Sequence, residues 1–262
     1  RHTRSLCDWS SDVCSSDLSK GVKPQHGIIS ISLPRGYPRR KLDRLADGFK
    51  QAAKKYKVKI LGGDTNEAKE LVISVMLFGV ARKIIPRSGA KNGDIVITTG
   101  NFGKTGAGLG ILLHKNRAAG KFRKDSIDSV LEPRPRLEFG FLASKYFTSS
   151  MDSSDGLSTT LTELSNASKK KFIITNIPKQ QGLDEFAKVN RKKPFDLVFN
   201  SGEEYEIVAT VSPKNLARLQ NLAKKSKTSI INIGHVQKGR GVFLEANKKL
   251  FRIENRGWSH FS

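Results

Sequence analysis

Two short acidic motifs hold the side chains best suited to chemistry. In MDSSDGL, at residues 151–157, two carboxylates stand three residues apart just ahead of a predicted helix. A single Ser or Asp there would cap the helix, but a second aspartate adds self-repulsion unless a cation lies between the two. Because Mg²⁺ takes oxygen ligands, Asp152 and Asp155 are candidate ligands of a divalent metal.

The second acidic motif, GEEYE at residues 202–206, comes directly before a predicted strand. Acidic clusters inside a strongly basic protein are where a divalent metal would concentrate. A third candidate is Asp64, which follows Gly62 and Gly63 at the end of a predicted strand. A carboxylate beside open backbone N–H groups would suit a hard cation together with a phosphate. The alternative for Asp64 is an ordinary glycine turn with an aspartate cap.

The segment GNFGKT, at residues 100–105, raises the possibility of a phosphate-binding P-loop. The pattern G-x-x-x-x-G-K-[ST] requires a glycine five residues before Gly103, where this chain has Thr98. We therefore reject a Walker A loop, although the N–H groups at the start of the following helix would remain available to an anion. The five histidines show no paired ligand spacing, and no G-x-S-x-G motif supports metal-free acyl transfer.

The composition limits the class of protein. The chain has 262 residues and a net charge of +23, from 47 Lys and Arg against 24 Asp and Glu. This length allows one large or two ordinary domains, and no apolar stretch approaches the ~20 residues that a membrane-spanning helix needs. The scattered lysines favour a solvated basic surface, and a polyanion-binding face is the alternative.

Both cysteines lie in the first eighteen residues, and their spacing fits no zinc pattern. One back-translation of residues 8–18 reproduces part of a widely used sequencing adapter, and residues 1–4 back-translate to another part. We therefore expect residues 1–18 to be translated adapter, and the natural protein to continue upstream of Ser19. Without them the chain has no cysteine, and we expect a cytoplasmic protein.

Alternating strand and helix patterns predict a mixed α and β fold. Apolar residues repeat at helical spacing from Arg39 to Tyr56, and residues 157–167 read as another helix. We also predict helices at 106–114, 133–147 and 213–223. Predicted strands cover residues 27–33, 58–61, 71–80 (as a buried strand), 95–99, 172–177, 207–211, 230–236 and 242–244.

Taken in order, eight motifs of residues 19–262 resemble the thiamine-monophosphate kinase family, within the wider group of proteins similar to aminoimidazole ribonucleotide synthetase. They are GVKP (21–24), LGGDTN (61–66), RSGAKNGD (87–94), TTG with its glycine-rich helix start (98–110), EPRPR (132–136), MDSSDGL (151–157), SGEEYEI (201–207) and GWSHF (257–261).

The resemblance implies a two-domain α+β fold of the aminoimidazole ribonucleotide synthetase type with an incomplete N-terminal domain. We expect a partial ATP-binding and dimerisation domain at residues 19–97 and a C-terminal α+β domain at residues 98–262. It also implies a homodimer joined through the N-terminal domains and Mg²⁺-assisted transfer of the ATP γ-phosphate to thiamine monophosphate. Neither a nucleic acid nor a membrane is implied as a partner.

The resemblance also implies roles for individual residues. Asp64, Asp152 and Asp155 resemble the family's Mg²⁺ ligands. Gly63, Asp64, Arg87 and Ser154 match its ATP contacts, with Asp64, Arg87, Asp152 and Asp155 at the catalytic centre. Glu203 and Trp258 match its thiamine-phosphate contacts, with the indole facing the cationic thiazolium.

Two features depart from the family. Its earlier aspartate motifs lie upstream of GVKP, so we expect residues 19–262 alone to have little activity, and Glu204 stands where Asp is common. The alternatives are a purine-biosynthesis or hydrogenase-maturation enzyme of the same group, or a noncatalytic basic protein that binds a polyanion. The absence of cysteine after residue 18 argues against the related selenide enzyme.

Overall fold

The computed structural model describes residues 19–81 and 83–258. The expected adapter segment, residues 1–18, and the last residues of GWSHF lie outside the described residues. Within the described part the strands form a three-stranded and a seven-stranded sheet, which confirms the mixed α+β class. No helix in that part is long and apolar enough to cross a membrane.

The three-stranded sheet has the strand order β2-β1-β3, with β1 parallel to β2 and antiparallel to β3. Helix α1 has the bounds that its apolar spacing predicted, and it ends where Lys57 adopts a left-handed conformation. The elements are β1 (Lys23–Leu33), α1 (Arg39–Tyr56), β2 (Lys59–Glu67) and β3 (Val72–Val80).

The predicted end of the second strand at Gly62-Gly63-Asp64 is wrong. Strand β2 continues through both glycines to Glu67, and Asp64 lies opposite Ser30 of β1. A Cβ atom on Gly63 would lie 1.7 Å from the carbonyl oxygen of Ile29. The glycine therefore permits a close approach of two parallel strands and does not form a turn.

The prediction of a buried strand at residues 71–80 is also wrong. Strand β3 alternates between exposed and half-buried residues. Its exposed face carries Val72, Met76, Phe78 and Val80, and Met76 is 61% exposed. An unbroken apolar run predicted burial on both faces, whereas here one face of the strand is exposed.

The seven-stranded sheet has the order β10-β9-β6-β8-β4-β7-β5. Its strands are β4 (Ile95–Thr98), β5 (Phe147–Asp152), β6 (Lys170–Ile174), β7 (Ile207–Val211), β8 (Ile231–Lys238), β9 (Gly241–Ala246) and β10 (Lys249–Arg252). The helices that accompany it are α2 (Lys104–Leu113), α3 (Gly120–Leu131), α4 (Leu137–Ala143), α5 (Leu157–Ser168), α6 (Leu183–Val189), α7 (Pro194–Phe199) and α8 (Leu216–Lys225).

The core of this part comprises two clusters of buried side chains. Phe102, Leu157, Leu161 and Phe172 are completely buried in the larger one. Strand β7 and helix α5 match their predictions closely, whereas α3, α6, α7, β5 and β10 were missed. The predicted helix at 133–147 was too long, because α4 begins at Leu137 and β5 starts at Phe147.

The expected boundary between the domains, after residue 97, falls inside β4. Strand β4 pairs with β7 and β8 of the seven-stranded sheet. The change from one sheet to the other therefore occurs between Val80, which ends β3, and Ile95, which begins β4.

Candidate functional site

The turn between β5 and α5, at residues 152–156, is the centre of the candidate site. Asp152 ends β5, lies opposite Ile207 of β7 and is 5% exposed. The N–H of Ser153 donates to the carbonyl of Glu206 over 3.0 Å, and the N–H of Tyr205 donates to the carbonyl of Ser153 over 2.9 Å. These bonds fix the acidic loop that precedes β7 against the turn.

Glu203 lies beside Ser154 in this arrangement. Its N–H donates to the Ser154 carbonyl over 2.7 Å, and its φ of 67° is left-handed. A Cβ atom on Gly202 would lie 2.4 Å from the same carbonyl, so only glycine lets the loop pass so close. The Glu203 side chain is exposed and accepts a hydrogen bond from the hydroxyl of Tyr205.

Trp258 reaches the turn from the far end of the chain. Its backbone N–H donates to the carbonyl of Asp155 over 3.0 Å, while the residue is 66% exposed. A Cβ atom on Gly257 would lie 2.1 Å from both the Asp155 carbonyl and Thr159 Oγ1. The structure therefore brings Ser154, Asp155, Glu203 and Trp258 together, although they come from three distant segments.

Arg87 lies beside α5. Its Nη1 is 3.9 Å from Glu163 Oε2, and its carbonyl accepts a hydrogen bond from Ser168 Oγ over 3.0 Å. Both side chains of the ion pair are close to half exposed. This long, exposed contact leaves the Arg87 guanidinium accessible to an anionic ligand.

Gly63 and Asp64 lie on β2, in the other sheet. Asp64 accepts hydrogen bonds from the N–H of Thr65, at 2.8 Å, and from Asn66 Nδ2, at 2.9 Å. Among the described residues, no three His, Cys, Asp or Glu side chains are grouped closely enough to hold a metal. Asp64 therefore does not form a ready-made three-carboxylate site with Asp152 and Asp155.

Sequence reasoning missed the position of Glu204. Its Oε1 accepts from the backbone N–H groups of Gly103, at 2.5 Å, and of Thr105, at 3.3 Å. The N–H groups that we expected to remain available to an anion at the start of α2 are therefore occupied by the protein's own carboxylate. Desolvation raises the pKa of Glu204 to about 7, against the opposing effect of the Gly103 N–H.

Glu206 and Arg136 form the other unexpected contact. The Arg136 guanidinium binds both carboxylate oxygens of Glu206, with Nε to Oε2 at 2.8 Å, and Thr99 Oγ1 donates to Oε2 at 2.5 Å. The hydrogen bond to Glu206 raises the pKa of Arg136. The motifs TTG, EPRPR and SGEEYEI thus meet beside a polar cavity of about 430 Å³. The spacing and charge of the GEEYE residues did not indicate that Glu204 would bind Gly103 and that Glu206 would bind Arg136.

The β5–α5 turn offers oxygen ligands of the kind that bind Mg²⁺ together with a nucleotide. Mg²⁺ is commonly bound by one or two carboxylates and completed by phosphate oxygens and water, so three converging carboxylates are not required. The Ser153 hydroxyl lies between Asp152 and Asp155 in sequence, is buried, and has no hydrogen-bond partner in the described part of the chain. A buried hydroxyl without a partner indicates a missing ligand or water nearby.

Comparisons with known proteins agree with one another. The family model described as AIR synthase related protein, N-terminal domain, matches residues 10–81. That range begins inside the expected adapter segment, whose origin stays a prediction. The chain is 49% identical over 249 residues to the thiamine-monophosphate kinase of Nitrosopumilus maritimus, covering 95% of this chain and 79% of that protein.

Two further similarities extend this result. Identity with the thiamine-monophosphate kinase of Pyrococcus horikoshii is 32%, covering 94% of this chain and 75% of that protein. A solved structure described as AaThiL complexed with AMPPCP and TMP superposes with a TM-score of 0.86 at 28% identity, covering 99% of this chain and 81% of that one.

Proposed function

Because the chain belongs to the thiamine-monophosphate kinase family, we propose that it transfers the γ-phosphoryl group of ATP to the phosphate of thiamine monophosphate. The products are thiamine diphosphate and ADP. The observation that supports this most strongly is the 49% identity with the Nitrosopumilus maritimus kinase over 95% of the chain. The contacts that join Asp155, Glu203 and Trp258 around one turn agree with it.

The proposed metal ligands are Asp152 and Asp155 at the turn and Asp64 on β2. When bound, Mg²⁺ would neutralise phosphate charge and hold the donor and acceptor in line. Asp152 is fixed by the pairing of β5 with β7, and Asp155 is held by the bond from Trp258 to its carbonyl. We propose ATP contacts for Gly63, Asp64, Arg87 and Ser154.

This reaction does not need a general base. The acceptor is a phosphate oxygen that is already ionised at neutral pH, so the main obstacle is repulsion between two polyanions. Arg87 reduces that repulsion with a charge that persists at any physiological pH. The carboxylates, the arginine and the absence of a histidine from the proposed catalytic residues all fit this requirement.

Glu203 and Trp258 are the proposed contacts of thiamine monophosphate. The Trp258 indole is 66% exposed and lies next to the Asp155 turn. An exposed indole face attracts a cation such as thiazolium, and the exposed Glu203, whose N–H binds the Ser154 carbonyl of the same turn, adds a negative charge. Substrate specificity would then depend on the C-terminal segment.

We also propose that the protein is a cytoplasmic homodimer joined through the open face of the three-stranded sheet. This face carries the exposed side chains of Met76, Phe78 and Val80. Apolar strand residues in such a row favour burial against a second copy. ATP use favours the cytoplasm, and the scattered positive charge does not by itself call for a nucleic acid partner.

The test measures formation of thiamine diphosphate by the purified chain with saturating ATP, Mg²⁺ and thiamine monophosphate. We expect the parent chain to form product slowly, and Asp155→Asn to lower that rate at least roughly hundredfold, because a metal ligand is removed. Asp184→Asn is the matched control, since this exposed aspartate lies outside the proposed site and pairs with Lys179. A parent chain that forms no thiamine diphosphate, or an Asp155→Asn variant as active as Asp184→Asn, would contradict the proposal.

A further inference from the structure

Lys20 lies in a short segment held firmly against the candidate site. The N–H of Ile85 donates to the Lys20 carbonyl over 3.1 Å, and the hydroxyl of Ser150 donates to the carbonyl of the completely buried Ser19. The N–H of Ser150 donates to the carbonyl of Pro86 over 3.2 Å. The segments that contain Lys20 and Arg87 are thus both attached to the same residue of β5.

The side chain of Lys20 also contacts β5, close to the β5–α5 turn. Its ammonium donates a hydrogen bond to the carbonyl of Ser150, two residues before Asp152. A lysine ammonium has three N–H donors, so two remain for another acceptor. A peptide carbonyl carries no net charge and therefore does not neutralise the cation.

The electrostatic surroundings of Lys20 contain two opposing charges. The pKa of Lys20 is lowered to about 8, chiefly by burial and then by the nearby Arg87 guanidinium, while the Asp152 carboxylate acts to raise it. No carboxylate among the described residues forms an ion pair with Lys20. Lys20, which is partly buried, and Arg87, which is more exposed, repel each other, and an anion that binds both removes this repulsion.

We propose that Lys20 is a further phosphate-binding residue. Together with Arg87 it would bind the phosphate groups of the nucleotide, next to Asp152. This inference rests on the proposed function and adds a residue to its site. Bound phosphate oxygens would accept hydrogen bonds from the two remaining N–H groups of Lys20, while the third N–H group keeps its bond to the Ser150 carbonyl. The unfavourable pairing of Lys20 with Arg87 would then become attraction of both to one polyanion.

The test compares Lys20→Gln, which retains a donor for Ser150 and removes the charge, with Lys20→Arg, which retains both. Lys23→Gln is the control, since Lys23 is exposed at the start of β1, three residues further along. We expect Lys20→Gln to raise the KM for ATP and the Kd for Mg²⁺-ATP roughly tenfold or more, the range expected for loss of a charge-assisted bond. Lys20→Arg should restore most of the affinity, and Lys23→Gln should equal the parent.

The thermal midpoint without nucleotide separates this role from a structural one. Removal of a desolvated charge should leave that midpoint unchanged or higher, whereas a structural lysine would lower it. A Lys20→Gln variant with the parental KM and Kd for ATP overturns the proposal, and Lys20→Met provides a second charge-free variant if Lys20→Gln does not fold. If the parent binds Mg²⁺-ATP and Lys20→Gln weakens that binding but no thiamine diphosphate forms, the proposed function fails and the role of Lys20 stands.

Discussion

At the scale of single residues, the three glutamates of GEEYE have three different partners. Glu203 lies beside Ser154, Glu204 occupies the start of α2, and Glu206 pairs with Arg136. The spacing of the glutamates predicted an acidic cluster, and the family resemblance gave a role to Glu203, but neither predicted the partners of Glu204 and Glu206. The separation depends on positive φ angles at Glu203 and Tyr205, which are uncommon for residues other than glycine and leave no mark in the sequence.

Glu204 should make stability depend on pH in an unusual direction. A carboxyl group whose pKa is raised on folding, from 4.5 to about 7, takes up protons when the chain folds. Its contribution is therefore most favourable below about pH 4.5, decreases as pH rises towards 7, and stays low above that. Replacing Glu204 with Gln keeps the acceptor for Gly103 and removes this dependence.

We expect the free energy of unfolding of Glu204→Gln, relative to the parent, to rise by about 3 kcal/mol between pH 4.5 and pH 8. Urea unfolding at a series of pH values measures this difference. Glu245→Gln, at an exposed position of β9, is the control and should follow the parent at each pH. Parallel curves for the parent and Glu204→Gln would show that the carboxyl group titrates as it does in the unfolded chain.

At the scale of elements, prediction succeeded where one local pattern was sufficient. Helix α1 has an unbroken apolar stripe, and β7 is a fully buried run of five residues. Prediction failed where a distant segment decides the structure, as in β2, whose glycines pass close to β1 and do not turn. The contact between the C-terminal segment and the β5–α5 turn also depends on a distant segment, and only the family resemblance predicted a role for Trp258 there.

Gly257→Ala should separate these two elements. The new methyl group would lie 2.1 Å from the Asp155 carbonyl and from Thr159 Oγ1, so the C-terminal segment must move away. We expect the KM for thiamine monophosphate to rise roughly tenfold, while the KM for ATP changes little, because Trp258 moves and Arg87 does not.

Steady-state kinetics with each substrate varied in turn measures this effect. Trp258→Leu is the matched variant and should raise the same KM without moving the backbone. Equal increases in both KM values for Gly257→Ala would show that the whole turn is disturbed and would contradict a role limited to the thiamine substrate.

At the scale of the whole molecule, the two sheets differ in how they are covered. The seven-stranded sheet packs its core against helices, whereas β3 of the smaller sheet leaves an apolar face open. The motifs resembling a known family indicated the overall fold correctly, because they extend over nearly the full length of the chain. The run of apolar residues in β3 could not indicate that one face of this strand is open. A strand that a second copy of the chain covers has the same apolar composition as a strand buried within one chain.

Met76→Lys should break the proposed homodimer. Met76 is 61% exposed in the single chain, and an ammonium group in its place would be desolvated at an apolar interface. We expect sedimentation velocity to show a dimer for the parent and a monomer for Met76→Lys, with the thermal midpoint of the monomer little changed. Leu250→Lys, at an exposed apolar position of β10, should remain dimeric. A monomeric parent, or a dimeric Met76→Lys, would exclude this face as the interface.

The contacts of the β5–α5 turn determine when a site can exist during protein synthesis. Lys20 attaches to β5 from one end of the described chain, and Trp258 attaches to Asp155 from the other. A ribosome releases Trp258 after every described strand and helix has been made, and long-range contacts of this kind form late in folding. A nascent chain can therefore complete both sheets and still lack the aromatic contact proposed for thiamine. Recognition of the thiamine substrate would then appear only after the segment that contains Trp258 has left the ribosome.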